Sequence, residues 1–347
     1  MFSTDSIKRA IEKSILSGEK EIIYTHRSTD LLESLLKEKP ALLWYITSWS
    51  KRSMVVGIEH KVRYTVQYHN QDVLYKDIVV VKSGEELEMA LHNNIGAYKL
   101  SLPVVAVGRI DVNKVYRDFV LTYGGYYSNL ERIEYQNAAF STLSVNIVNF
   151  TFTHRIGRIK LGMMEAAVDK EVERLERILF SPDMLPETKA YIAHNYLAKT
   201  VTYWQKIDPN PLEMSYKQSA YGAFINHKCV CQGYAEAYKR LLNSQGIICE
   251  VLCGTIKKSG ERHAWNLVSF DGRKYYHVDV TWDSYGKGRM GWDYFFLSDK
   301  KLIPERIWSR LPKYACASDD DIINVARKQL RSKGTIYVSR GIDENYF

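Results

Sequence analysis

Three short runs in the last third of the chain constrain it most: V-C-Q-G-Y-A-E-A-Y at 230–238, R-H-A-W-N at 262–266 and Y-H-V-D-V-T-W-D at 276–283. After the first run begins, Tyr234, Tyr238, Leu241 and Leu242 recur at i, i+4, i+7 and i+8, which predicts a helix that stops at Gly246. Cys231 then stands at the helix N-terminus. Unpaired backbone N–H groups and the positive dipole end favour a thiolate there and can receive an oxyanion. Gly233 keeps the first turn uncrowded, open to a substrate backbone. Taken alone, Cys231 reads better as a small core residue, as most free cysteines are.

The other two runs predict antiparallel strands over 263–270 and 274–281, joined at Asp271-Gly272. Side chains alternate along a strand, so His263, Trp265 and Leu267 share a face, as do Tyr275, His277, Asp279 and Thr281. A two-residue loop pairs 263 with 280 and turns Asp279 away. A three-residue loop, or a bulge at Gly272, pairs 265 with 279 and 263 with 281, making His263 and Asp279 diagonal neighbours. Asp279 lies between two valines, where a carboxylate needs a partner; a backbone amide or Thr281 would serve as well as a histidine. His277 is the rival histidine. His263 is preferred because its strand begins at an open edge. A cysteine, a histidine and an aspartate in this order are the minimum set for a thiolate nucleophile, a general base and an orienting carboxylate.

With A-Y-G-A at 220–223, G-I-x-C-x-V-x-x-G at 246–254 and Y-F-F-L-S-D at 294–299, these runs resemble the transglutaminase-like superfamily in its bacterial branch. Its members are papain-related enzymes with a Cys–His–Asp triad. The likeness spans about 190–300 and leaves the first 155 residues unexplained. It implies Cys231 as nucleophile, His263 as general base and acid, and Asp279 as the group that holds the imidazole. It offers Tyr221 as a hydrogen-bond donor near the oxyanion. Trp265 and Trp282 would flank the pair, walling the cleft against water or lining an acyl-donor channel, with an ordinary core aromatic as an equal reading for Trp282. The implied activity is cysteine-dependent acyl transfer on amide or peptide substrates through a thioester. Hydrolysis (peptidase or amidase) is favoured over glutamine transamidation, and no metal or cofactor is needed.

The expected fold class is α+β: a papain/transglutaminase-like core, a nucleophile helix on an antiparallel sheet, preceded by two small α/β repeat modules. The modules are drawn at 1–80 and 81–160 and the catalytic domain at 161–347. Each module reads helix, short strand, helix, alternating strands, at an offset of about 80 residues. In the first, Ser28 or Thr29 caps the second helix; in the second, a helix starts at Ser83. A helix over 163–181 stops at Pro182, and another over 186–204 is broken by D-P-N-P at 208–211. A second functional reading is a binding module with an idle triad, whose N-terminal repeats engage a peptide or glycan.

Net charge is +8, with 48 basic and 40 acidic residues, and the basic residues are scattered, densest at Arg327, Lys328, Arg331 and Lys333. Nucleic acid is therefore not expected as a partner. No apolar run approaches a membrane span, and Asp5, Lys8, Arg9, Glu12 and Lys13 exclude a signal-peptide core at the N-terminus as written. The expected location is cytoplasmic, or exported if a signal preceded this sequence. Five cysteines do not form a disulfide framework. H-x-C-x-C at 227–231, with Cys249 and Cys253, offers a zinc reading, but structural zinc prefers C-x(2–4)-C pairs.

Overall fold

The computed structural model describes residues 3–69, 73–123, 127–140, 143–205, 210–286, 288–308, 314–317 and 322–339. The chain divides into two units, one of Met1–Tyr116 and Arg132–Thr153, the other of Arg117–Glu131 and His154–Phe347.

The first unit opens with α1 (Thr4–Leu16), which buries Ile7, Ile11 and Ile15 and is capped by the Ser3 hydroxyl, an acceptor for Ser6 N–H. β1 (Glu21–His26), α2 (Leu31–Glu38), β2 (Ile46–Val56) and β3 (Glu59–Tyr68) follow. The cap position of α2 is Asp30, not Ser28 or Thr29, and no side chain closes it. Next come β4 (Val79–Val81), α3 (Gly84–Gly96), β5 (Ser101–Val107), α4 (Val112–Tyr123), β6 (Leu130–Phe140) and β7 (Val145–His154). Ser83 caps α3 as expected, accepting from Glu86 N–H. The sheet orders are β1-β3-β2 and β4-β5-β7-β6. Helix, strand, helix and two strands thus occur twice, each time with the last strand beside the first. β4, parallel to β5, has no counterpart. Ile11, Leu32 and Tyr64 share one apolar core with Val105, Val145 and Ile147, so the two arrays close on each other.

The second unit, which also takes in Arg117–Glu131 of α4 and β6, continues from His154 with two long helices, α5 (Arg158–Leu179) and α6 (Pro186–Thr200). β8 (Thr202–Tyr203), α7 (Pro211–Lys217), α8 (Ala220–Phe224), β9 (Lys228–Cys229) and α9 (Cys231–Ser244) come next. Residues 208 and 209 of D-P-N-P lie outside the described residues; Asn210 caps α7 through its side chain. β10 (Ile248–Ile256), β11 (Arg262–Ser269), β12 (Tyr276–Val278), α10 (Val280–Asp283), β13 (Ser284–Gly286), β14 (Arg289–Met290), β15 (Phe295–Leu297), α11 (Asp299–Leu302), β16 (Arg306–Trp308) and α12 (Ile322–Ser339) complete it. Its main sheet is antiparallel, in the order β15-β12-β11-β10-β16. α9 packs on β10 and β11 and buries Tyr234, Tyr238, Leu241 and Leu242 against Tyr191, Ile192 and Leu197 of α6. The fold is α+β.

β11 and β12 take the register that an odd loop requires: Asn266 faces Val278, Leu267 faces His277 and Val268 faces Tyr276. Gly272, at φ +73°, sits at the centre of that loop. The expected strand over 274–281 is too long, however. Regular pairing ends at Val278, and Asp279 caps the one-turn α10, its Oδ1 accepting from Trp282 N–H at 3.2 Å. An aspartate suits a helix cap and disfavours a strand interior, which explains the early stop.

Candidate active site

Cys231 is the first residue of α9. The cap position is Val230, whose side chain cannot accept a hydrogen bond. No side chain caps this helix among the described residues, so its positive dipole end lies beside the sulfur. Cys231 is partly exposed, while the other four free cysteines are buried. Gly233 serves a different purpose from the expected one. A Cβ there would lie 2.5 Å from Cys229 Cβ and 3.0 Å from Lys217 O, so the missing side chain makes room for protein, not for substrate.

His263 Nε2 lies 2.6 Å from Asp279 Oδ2, with both side chains buried. That leaves Nδ1 as the ring nitrogen for Cys231, whose nearness adds to the upward push on the imidazole pKa. Burial pulls the His263 pKa down. The charge and hydrogen bond of Asp279, then Cys231, outweigh it and push it up to about 9. Burial raises the Asp279 carboxyl, but the charge and hydrogen bond of His263 and the charge of Arg306 hold it below the usual carboxylate range. Three separate segments thus bring a sulfur, an imidazole and a carboxylate together.

The rival histidine is engaged elsewhere. His277 Nδ1 accepts from Trp265 Nε1–H at 3.0 Å, so its Nε2 carries the proton that Asp299 Oδ1 accepts at 2.8 Å. Burial lowers the His277 pKa, against the carboxylate of Asp299. A third buried pair, His194 Nε2 to Asp283 Oδ2 at 3.0 Å, joins α6 to α10. Neither pair has a cysteine presented on a helix N-terminus.

Trp265 does not line a channel. It is 1 % exposed and stacks on His263 with ring centroids 6.0 Å apart and an 18° interplanar angle. Strand alternation puts Trp265 with Leu267 against Leu252 and Leu302, on the face of β11 opposite Ala264 and Asn266, which meet Ala235 of α9. Trp282 is only partly buried and tilts against His263 at 5.6 Å. Tyr221, in α8, is partly buried and stacks on Tyr216 at 5.0 Å.

Residues that sequence reasoning passed over also gather here. Arg306, on β16, places Nη1 2.7 Å from Asp279 Oδ2. Tyr203, on β8, has its pKa pushed up to about 12 by burial and then by the charge of Cys231. Trp204 donates its backbone N–H to Cys229 O at 2.8 Å, and its buried Nε1 has no hydrogen-bond partner among the described residues. β8 runs parallel to β9, the strand that leads into Cys231, and no motif in the sequence marks that pairing.

Among the described residues, one group has metal-ligating atoms within 4.8 Å of one another: His277, Asp299 and Cys316. The Trp265 hydrogen bond fixes His277 with Nδ1 as acceptor and Nε2 protonated, the wrong form for a ligand at Nε2. His227, Cys229 and Cys231 form no such group, and His227 is exposed while Cys229 is buried. Two grooves of about 850 and 480 Å³ lie in the first unit and contain none of the site residues. No helix among the described residues is long and apolar enough to cross a membrane.

Residues 175–280, which hold α6, α9 and the strands β10 to β12, match the family model described as the transglutaminase-like superfamily. Similar solved structures include a candidate cysteine protease from Cytophaga hutchinsonii, at 12 % identity and TM-score 0.28 over 43 % of this chain and 62 % of that one. A second is a TGase, at 14 % identity and TM-score 0.27 over 73 % and 68 % of the two chains. A third is a candidate protease from Parabacteroides distasonis, at 9 % identity and TM-score 0.26 over 78 % and 64 %. The chain spans 62 % of the length of the Cytophaga protein. Scores this low carry no inference about activity. No curated protein matches.

Proposed function

We propose that the second unit is a cysteine-dependent acyltransferase acting on amide or peptide bonds, and that its resting reaction is hydrolysis. The catalytic domain is assigned to 161–347, after modules at 1–80 and 81–160. One observation supports the reading: the Asp279 carboxylate holds Nε2 of the His263 imidazole, and Cys231 lies near enough to that ring to add to the rise in its pKa.

In this mechanism the Cys231 thiolate attacks the carbonyl carbon and the C–S bond forms. The oxyanion is received by N–H groups of the first turn of α9. His263, held by Asp279, gives its proton to the leaving amine as the C–N bond breaks. Water then attacks the thioester with His263 as general base, releasing the acid and restoring the thiol–imidazole pair. An amine in place of water gives transamidation with the same groups. The partner is a protein or peptide.

The test is alkylation by iodoacetamide near neutral pH, with site occupancy read by mass spectrometry, alongside turnover of an amide library by wild type and Cys231→Ala. The reading expects Cys231 to react well ahead of the other four cysteines and turnover to vanish in the variant. Equal labelling of all five, or unchanged turnover, overturns it.

A further inference from the structure

Arg306 is 1 % exposed, an unusual place for a guanidinium. None of its three guanidinium nitrogens makes an aligned hydrogen bond among the described residues, so its contact with Asp279 is one of charge. What compensates its burial is one ion pair and three aromatic rings. Nη1 is 2.7 Å from Asp279 Oδ2, and Cζ lies 4.3 Å from the ring centroid of Trp282, 4.9 Å from Trp265 and 5.1 Å from Tyr294. The backbone is committed to this placement too. β16 pairs with the end of β10, with Ile256 facing Arg306 and Gly254 facing Trp308. A Cβ on Gly254 would meet Ile307 O at 2.4 Å and Trp265 Cη2 at 2.6 Å. Arg306 lies beyond the stretch that matches the family model.

We propose that Arg306 is a positioning residue for the charge of the triad: by neutralising Asp279 it lets the Cys231 proton pass to His263 without creating a net buried charge. The inference rests on the reading of Cys231 as the nucleophile.

The reasoning is a charge count. With Arg306 present, the Asp279–Arg306 pair sums to zero. His263 and Cys231 are then both neutral or form an imidazolium–thiolate pair, and either state leaves the site neutral. Without Arg306, the Asp279 carboxylate must be balanced by an imidazolium. A thiolate would then leave one uncompensated negative charge in a water-poor site, which is strongly disfavoured. Cys231 would stay a thiol to higher pH.

The neighbouring titratable groups do not upset this count. Burial keeps Cys229 a thiol, and burial first, then the charge of Cys231, keeps Tyr203 a phenol. Tyr294 is likewise held protonated, by burial and by its hydrogen bond to the exposed Glu305. His277 is kept neutral by burial, with the Arg306 charge adding to that effect. The carboxylates of Glu305, Asp299 and Glu261 remain part-exposed or exposed and are screened by water.

The experiment is the pH profile of Cys231 alkylation by iodoacetamide, from about pH 4 to about pH 10, in wild type, Arg306→Met and the double variant Asp279→Asn/Arg306→Met. In Arg306→Met the midpoint should move up by about one pH unit or more, the usual size for losing a close compensating charge. In the double variant, which removes the carboxylate and the cation together, the midpoint should return towards wild type although turnover stays lost. A merely structural role for Arg306 would alter thermal stability and leave the midpoint in place. An unshifted midpoint in Arg306→Met overturns the inference. Should that variant not fold, a double variant shifted as far up as one unit or more overturns it instead, because removing the pair should leave the balance unchanged. If wild-type Cys231 itself alkylates no faster than the other cysteines, the nucleophile reading has failed, and the inference with it.

Discussion

His263 Nε2 and Asp279 Oδ2 are 2.6 Å apart although neither belongs to the run of regular pairs between their two strands. His263, paired with Gly254 of β10, stands beyond the last residue of β11 that pairs with β12, and Asp279 is the first residue after β12, already turned into a helix cap. The contact therefore depends on the cap as much as on the sheet.

Replacing the carboxylate should test that dependence. Asp279→Asn keeps the size but removes the charge that holds the imidazolium. Turnover of an activated ester should fall by about 10²–10⁴-fold, with KM little changed. Steady-state kinetics check this. A fall in turnover of less than about tenfold would separate Asp279 from the reaction.

The raised pKa of His263 gives a signed prediction. A group whose folded pKa lies above its unfolded value stabilises the fold fully below the unfolded pKa, near 6.5, and loses that contribution as pH rises through about 9. The difference in melting temperature between wild type and His263→Gln should be constant below about pH 6 and shrink towards about pH 9. The alkaline limb of the activity profile should fall in the same upper range, because the leaving amine needs the imidazolium proton.

His277 gives a third prediction, read as stability. His277→Leu leaves Trp265 Nε1–H buried without an acceptor and should cost about 1–3 kcal/mol in denaturant unfolding. His277→Asn puts an amide oxygen near the place of Nδ1 and should recover part of that loss. Equal losses in the two variants would show that the hydrogen bond is not what matters.

Close approach gives a fourth. Gly254→Val would drive a side chain into Ile307 O and Trp265 and should cost about 1–3 kcal/mol or more. Because it also pushes β16 away from Asp279, it should lower Cys231 alkylation at neutral pH. Thermal unfolding and the alkylation rate, measured on one preparation, check both.

The helix that bears Cys231 and a turn at Asp271-Gly272 were legible because they rest on periodicity and turn chemistry within about twenty residues. The contact of His263 with Asp279 was legible only as a condition on the length of that loop, and the Asp279 cap that completes it was not. What stayed hidden was non-local. Arg306 follows Asp279 by 27 positions and reaches it only through the β10–β16 pairing, which no hydrophobic pattern in R-I-W announces. β8 and β9 are two residues each, too short to carry a strand signal, so Tyr203 and Trp204 gave no sign of lying near the cysteine. The inward turn of Trp265 depended on how deeply β11 is covered, which alternation alone does not set.

The most direct test of the central claim is intact-mass and peptide-mapping mass spectrometry of wild type reacted briefly with a peptide or activated-ester library and quenched in acid. The account predicts an acyl adduct confined to Cys231, labile to hydroxylamine and absent in Cys231→Ala. An adduct on another residue, or turnover that persists in Cys231→Ala with no adduct at all, would contradict it.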